Sequence, residues 1–269
     1  MMHDAIFADP RLAAIYDDID GDRSDLDHYE AIVDEFGARR VLDVGRGTGT
    51  FACRLAARGL TVIAVDPASA SLDVARDKPV AKRVTWWLGD ATMLPPTAVD
   101  AVTMTANVAQ VFVHDQDWSA TLGGVRSVLR DGGHLVFETR DPSFRGWEEW
   151  TREQSFCVTE TVAGRVENWV ELTEVALPLV SFCHTVRFLD SGDVITSHST
   201  LRFGDREEIT DSLTRVDSRS TRSATRPTDR AASSSSSPTP SASSGCGAVV
   251  GGGLDRMPLL SLREPWRGA

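Results

Sequence analysis

The feature that most restricts the fold is a series of short apolar segments at residues 41–44, 62–65, 84–88, 101–104 and 135–138, separated by stretches of helical spacing. Strands joined by helix-length connections pair in parallel, because only such a crossover returns the chain to the same end of a sheet. Helices then cover both faces, which is why these strands read as continuous apolar runs rather than as alternating ones. Residues 37–145 are therefore expected to form a doubly wound, mostly parallel α/β core.

The flanking regions have different patterns. Residues 1–36 read as a helical cap, with Leu12, Ile15 and Ile19, then Tyr29, Ile32, Val33 and Phe36, at helical spacing. Residues 146–204 read as an antiparallel β insertion, with strand-like runs at 166–175, 180–189 and 194–203 and a turn at Asp190-Ser191-Gly192-Asp193. Residues 205–213 read as a helix returning to the core, with Asp205 as cap and Glu208 able to reach back. Beyond Leu213 the pattern collapses into Ser, Thr, Arg, Pro and Gly, so residues 214–269 are expected to be low-complexity and disordered, and the sheet to lack its last strands. Two origins of this tail stay open, a natural disordered segment and a shift of reading frame in a GC-rich gene, the latter in keeping with Lys78 and Lys82 being the only lysines among many arginines.

Composition excludes several functions. A net charge of −11 argues against a nucleic-acid partner. No apolar run reaches membrane-spanning length, and the first residues lack a basic stretch followed by an apolar one, so a cytoplasmic protein without a membrane partner is expected. Cys53, Cys157, Cys183 and Cys246 form no C-x-x-C pair and no H-x-x-x-H occurs, so no metal centre is expected. Oligomeric state is left open.

The chemistry begins where the first strand ends, at Asp43-Val44-Gly45-Arg46-Gly47-Thr48-Gly49. Glycines let a backbone approach a ligand without a Cβ in the way, and the following helix offers unpaired N–H groups. The spacing is G-x-G-x-G, whereas the dinucleotide fingerprint is G-x-G-x-x-G, and Thr50 stands where that third glycine is needed. The second strand ends at Asp66-Pro67, where an acid can accept from both ribose hydroxyls; the third ends at Gly89-Asp90-Ala91, where an acid can accept from an exocyclic amine. Singly, Asp66 also suits a helix N-cap and Asp90 a turn. Three acids in order at the carboxyl ends of successive parallel strands point to a ligand at that edge.

Together these segments resemble class I S-adenosylmethionine-dependent methyltransferases of the bacterial small-molecule type, over about residues 39–141. Asp100–Asn107 is similar to the family's fourth strand, and Leu129-Arg130-Asp131-Gly132-Gly133 with the apolar run after it to its fifth. The resemblance implies a Rossmann-like fold and S-adenosyl-L-methionine as cofactor. It implies that Gly45, Gly47, Thr48 and Gly49 line the methionine and ribose portion, with Asp43 at the ammonium end. Asp66 and Pro67 would hold the ribose, Asp90 and Ala91 the adenine, and Asn107 and Val108 would face the sulfonium and the acceptor. Arg46 departs from the family, which more often has a small residue there.

A sulfonium is a good leaving group, so in-line attack on its methyl needs alignment and exclusion of water more than covalent help. Where a base is needed, His114 is the first candidate, ahead of Glu138, His184 and His198. Tyr16, Tyr29, Glu138 and His184 are candidates for the acceptor side, and packing explains both tyrosines equally well. Trp147, Trp150 and Trp169 either line an acceptor pocket or pack the insertion. The segment Thr105-Ala106-Asn107-Val108-Ala109-Gln110 lacks the paired prolines of amide-directed and DNA-directed enzymes. The expected function is methyl transfer to a small molecule; the alternative is a cofactor-binding protein with lost or reduced catalysis, and a nicotinamide-dependent oxidoreductase is disfavoured by the glycine spacing.

Overall fold

The computed structural model describes residues 4–94, 96–224 and 259–265, with side chains up to residue 216. Helices α1 (Ala5–Ala8), α2 (Pro10–Asp20) and α3 (Leu26–Glu35) come first. Asp9 starts α2 by accepting from the N–H groups of Arg11 (2.8 Å) and Leu12 (3.3 Å), and Pro10 fits the first turn because its missing N–H would have no partner there.

The core follows as β1 (Arg40–Val44), α4 (Thr50–Ala57), β2 (Thr61–Asp66), α5 (Ser69–Asp77), β3 (Val84–Leu88), β4 (Val99–Met104), α6 (Asp115–Val128) and β5 (Leu129–Arg140). These five strands are parallel in the order β5-β4-β1-β2-β3, with Val41 opposite Val62 on one side and Ala101 on the other. The chain proceeds outward from β1 in both directions, so the carboxyl ends of β1 and β4 flank a crevice at the topological switch point. One face of the sheet packs on α3 and α4 through Tyr29, Ile32, Phe51 and Leu55. The other packs on α6 through Leu122 and Val125 and on the helix after the insertion through Ile209 and Leu213.

A short helix, α7 (Arg152–Ser155), leads to β6 (Cys157–Thr161), β7 (Gly164–Ala176), β8 (Leu179–Phe188) and β9 (Val194–Arg202), an antiparallel meander paired in chain order. The expected turn joins β8 to β9, with Gly192 at φ 76° and its N–H donating to the Phe188 carbonyl at 2.8 Å. Strand β6 is an addition to the expectation. The N-terminal cap divides: α3 is a layer of the α/β core, whereas Ile6 of α1 and Leu12 and Ile15 of α2 pack against Val166, Val186 and Phe188 of the meander. The Ile6 N–H donates to Ser197 Oγ at 2.9 Å, and Arg11 lies 4.2 Å over the Phe188 ring and pairs with Asp193 at 3.1 Å.

Two expectations about the end of the chain need correction. The returning helix, α8 (Arg206–Ala224), continues past Leu213, because Leu213 and Val216 extend its apolar stripe against the core. A strand was not expected after Leu213, yet β10 (Leu259–Pro265) pairs antiparallel with β5, Leu262 opposite Phe137. The short apolar run 258–262 in an otherwise Gly-rich stretch escapes a search for alternation. β10 covers the edge that β5 would otherwise expose. The low-complexity expectation for residues 225–258 lies outside the described residues.

Candidate active site

The rim of the parallel sheet gathers the acids expected from the motifs. Asp43, at the end of β1, is fully buried, and its Oδ1 accepts from the Thr103 hydroxyl of β4 at 2.9 Å. Its Oδ2 has no hydrogen-bond partner. Removal from water pushes its carboxyl up to about 7, with the Thr103 bond and the Arg46 charge acting in the opposite direction. An orphaned acidic oxygen inside a protein is costly, so its position marks where a cationic group is best received.

The turn after β1 is bare backbone held in left-handed conformations, with φ of 67° at Gly45, 52° at Gly47 and 79° at Gly49. A Cβ at Gly45 would lie 2.6 Å from Val108 Cγ1, and one at Gly49 2.7 Å from the Trp86 ring, whereas one at Gly47 would meet nothing within 4 Å. The first and third glycines are thus required by close packing, and the middle one borders open space. Gly47 donates its N–H to Asp66 Oδ2 at 2.9 Å, and Asp66 Oδ1 accepts from the Ala68 N–H at 2.8 Å. Asp66 therefore caps the turn before α5 and also ties the glycine turn to β2.

Asp90, two residues past the end of β3, is exposed, its Oδ1 accepting from the Thr92 N–H at 2.8 Å and from the Thr92 hydroxyl at 2.5 Å, with Ala91 buried beside it. Thr48 is buried, and its hydroxyl donates to Asp17 Oδ1 of α2. Asp17 also pairs with Lys78 at 2.6 Å, and Lys78 donates to Thr50 Oγ1 at 2.7 Å. This latch joins the cap to the glycine turn, and sequence reading missed it because its members lie far apart in the chain. Pro67 stands between Asp66 and Ala68 in the turn just described.

Across the switch point, Ala106 and Asn107 both adopt positive φ, 56° and 61°. Adjacent non-glycine residues in this region are strained, and such strain collects at functional sites. The Asn107 N–H donates to Glu138 Oε1 at 2.8 Å, and Asn107 Oδ1 is buried without a partner. Glu138 is buried on β5, on the opposite strand face from Phe137. Gln110, at the end of the same segment, donates to the Arg202 carbonyl at 3.0 Å and accepts from the Arg140 N–H at 3.2 Å, joining β9 to β5.

The remaining candidates divide. His184 lies on the meander face that carries Phe182 and Val186, between the cluster of α1 and α2 and the cluster of Trp147 and Trp150. Burial alone lowers its imidazole to about 4, so it is neutral near pH 7. Tyr16 is half-buried against Phe7, ring centres 5.3 Å apart. Tyr29 packs in the core against Phe51 at 5.8 Å, a structural setting. His114 is exposed at the N-cap of α6, and no side-chain contact among the described residues joins it to the buried acids. His198 is exposed on β9. Trp147 and Trp150 pack edge-on against Phe203 and Phe182, each at 4.8 Å, which is the packing alternative for these rings. Trp169 lies under Arg152 at 4.3 Å. A cavity of about 60 Å³ under α8, bordered by Trp118, Phe137 and Ser212, includes none of the glycine-turn residues.

Among the described residues, no group of three His, Cys, Asp or Glu side chains could hold a metal, and no helix is long and apolar enough to cross a membrane. The open space at Gly47, the orphaned Asp43 oxygen and the Asp66 carboxylate fit a cationic nucleoside, which satisfies the chemistry S-adenosylmethionine would require.

Comparison with known proteins bears on the fold that carries this rim. Residues 41–133 match the family model described as a methyltransferase domain. An uncharacterised methyltransferase of Mycobacterium tuberculosis is 44% identical over 114 residues, covering 41% of this chain and 44% of that protein, so the match spans less than half of the relative's length. The fold is similar to that of a sugar N-methyltransferase from Streptoalloteichus (TM-score 0.61, 17% identity, 72% of this chain and 78% of that one). It is also similar to the S-adenosylmethionine-bound amino pentose methyltransferase of Micromonospora echinaspora (TM-score 0.55, 21% identity, 72% and 84% covered).

Proposed function

We propose that this chain, whose residues 41–133 match a methyltransferase-domain model, transfers a methyl group from S-adenosylmethionine to a small-molecule acceptor. The observation that carries the proposal is the convergence of Asp43, the glycine turn and Asp66 on one rim of the sheet, with an acidic oxygen of Asp43 left unpartnered. When bound, the cofactor supplies an electrophilic methyl on a positively charged sulfur.

The protein's part is binding, alignment and exclusion of water. Asp66 is suited to the ribose hydroxyls, Asp90 with Ala91 to the adenine, and Asp43 to the ammonium end. Gly45, Gly47 and Gly49 let the backbone approach, and Thr48 acts indirectly through its bond to Asp17. Asn107 and Val108 border the place where donor and acceptor meet. Glu138, held by the Asn107 N–H, is the buried acid nearest that border and is suited to orient an acceptor amine or hydroxyl and to take its proton. His184, neutral near pH 7, is the second group able to accept a proton. Tyr16 belongs to the cap side, whereas Tyr29 and His114 lack a setting that supports the acceptor or base role.

The test is incubation of the purified chain with S-adenosylmethionine and a panel of small amines, amino sugars and phenols, with S-adenosylhomocysteine read by mass spectrometry. Acceptor-dependent product that falls at least tenfold in Glu138→Gln supports the reading. Tight binding of the cofactor without turnover on any acceptor favours the alternative of a binding protein with lost catalysis.

A further inference from the structure

Arg46 lies inside the glycine turn, where it neither reaches solvent nor blocks the middle of the loop. It is 6% exposed. Its Nη1 donates to the Gly47 carbonyl at 2.6 Å, and its guanidinium stands 4.8 Å over the Trp86 ring. Nε and Nη2 are buried and make no hydrogen bond. Gly47, whose carbonyl accepts from Arg46, donates its own N–H to Asp66 Oδ2 at 2.9 Å, and Asp43 precedes Arg46 by three residues at the end of β1, so both acids border the guanidinium and their charge acts on it. A buried guanidinium has lost its hydration, and a ring face and one carbonyl replace only part of it, so neighbouring negative charge must hold it in place. The two acids of the rim are thus partly neutralised by a cation built into the same turn, without a hydrogen bond from Nε or Nη2 occupying their oxygens.

This bears on a difference between the two forms of the cofactor. S-adenosylmethionine and S-adenosylhomocysteine share nearly the same shape, but only the donor carries the sulfonium charge. A rim with two uncompensated carboxylates would favour the cation; a fixed positive charge among them removes part of that preference. We propose that Arg46 sets the ratio of donor to product affinity, lowering the advantage of the charged donor by compensating Asp43 and Asp66. The inference rests on the cofactor reading above. Arg46 acts on affinity through its charge and touches no reacting atom, so it is a specificity-determining residue and not a catalytic one.

Calorimetric titration of the full chain with donor and with product separates the possibilities. In the unaltered protein the two dissociation constants should lie within about threefold of each other. Arg46→Gln, which keeps a donor for the Gly47 carbonyl, and Arg46→Ser, which restores a small residue, should each shift the ratio toward the donor by about five- to tenfold, the size of a unit charge about 10 Å away at an intermediate effective dielectric. Arg46→Lys should leave the ratio near its original value. Loosening of the turn alone would weaken both ligands equally and leave the ratio unmoved, which would overturn the proposal. A donor preference above tenfold in the unaltered protein would also overturn it, and needs no variant to fold. Failure of either ligand to bind the unaltered chain would instead remove the cofactor reading itself.

Discussion

The Thr103 hydroxyl of β4 donates to Asp43 of β1 at 2.9 Å, across the one strand pair that borders the switch point. One hydrogen bond does not compensate full burial, and the Asp43 carboxyl stays near 7 against 3.8 for an ordinary aspartate. A carboxyl raised in the folded state contributes stability that is complete below about pH 4 and is lost as pH rises through 7. The ligand-free chain should therefore lose about 4 kcal/mol from this group across that window, at about 1.4 kcal/mol per unit. Urea unfolding at pH 5 and pH 8 should show about 2.6 kcal/mol of it, since part is already lost by pH 5, with Asp43→Asn expected to flatten the dependence. A cationic cofactor favours the ionised form, so its affinity should rise with pH up to about 7. An unchanged profile in the Asn variant would refute this assignment.

The glycines of the turn should differ in their tolerance of alanine. Gly47→Ala meets no atom within 4 Å and carries only left-handed strain, about 1 kcal/mol. Gly49→Ala adds a contact of 2.7 Å to Trp86 and one of 2.9 Å to Ala75, and should cost about 1–3 kcal/mol more. Denaturant midpoints of the two variants compare them directly, and equal losses would contradict the packing described for the turn.

His184 titrates in the opposite sense from Asp43. An imidazole lowered to about 4 contributes stability that is present above pH 6.5 and lost as pH falls through 4. His184→Leu should abolish an acid destabilisation of about 2.4 kcal/mol between pH 7 and pH 4.5, measured by thermal unfolding at those two values. Persistence of the full acid loss in the variant would place the responsible group elsewhere.

The Asp17 latch should govern how firmly α2 holds the glycine turn. Asp17→Ala removes the acceptor of Thr48 and Thr50 and the partner of Lys78. The pair is partly exposed, so the expected loss of global stability is only about 1 kcal/mol. Hydrogen exchange should accelerate in residues 10–20 and 47–50 while the amides of β1 and β4 stay protected. Uniform acceleration would mean that the latch supports the whole fold instead.

The parallel core was legible because its constraints are local: apolar runs, a glycine turn and strand-end acids all fall within a few residues of each other. What stayed hidden depends on distant pairing. Thr103 gains meaning only from its register opposite Asp43, and Gln110 only once β9 lies beside β5. Arg46 showed in the sequence only as a departure from a small residue, and its place over Trp86 is one that no spacing rule announces. His114 stands out in the sequence as a histidine able to serve as base, yet at the N-cap position of α6 it is exposed and its side chain makes no capping hydrogen bond. β10 was missed because a single strand pairing with β5 needs no internal alternation.

The central claim, that the rim of the sheet holds an adenosyl cofactor through Asp66, is tested most directly by calorimetric titration of the unaltered chain and of Asp66→Ala with S-adenosylhomocysteine. The expected result is saturable one-to-one binding that weakens at least tenfold in the variant, about 1.4 kcal/mol, while circular dichroism stays unchanged. Equal affinity in both proteins would contradict the account.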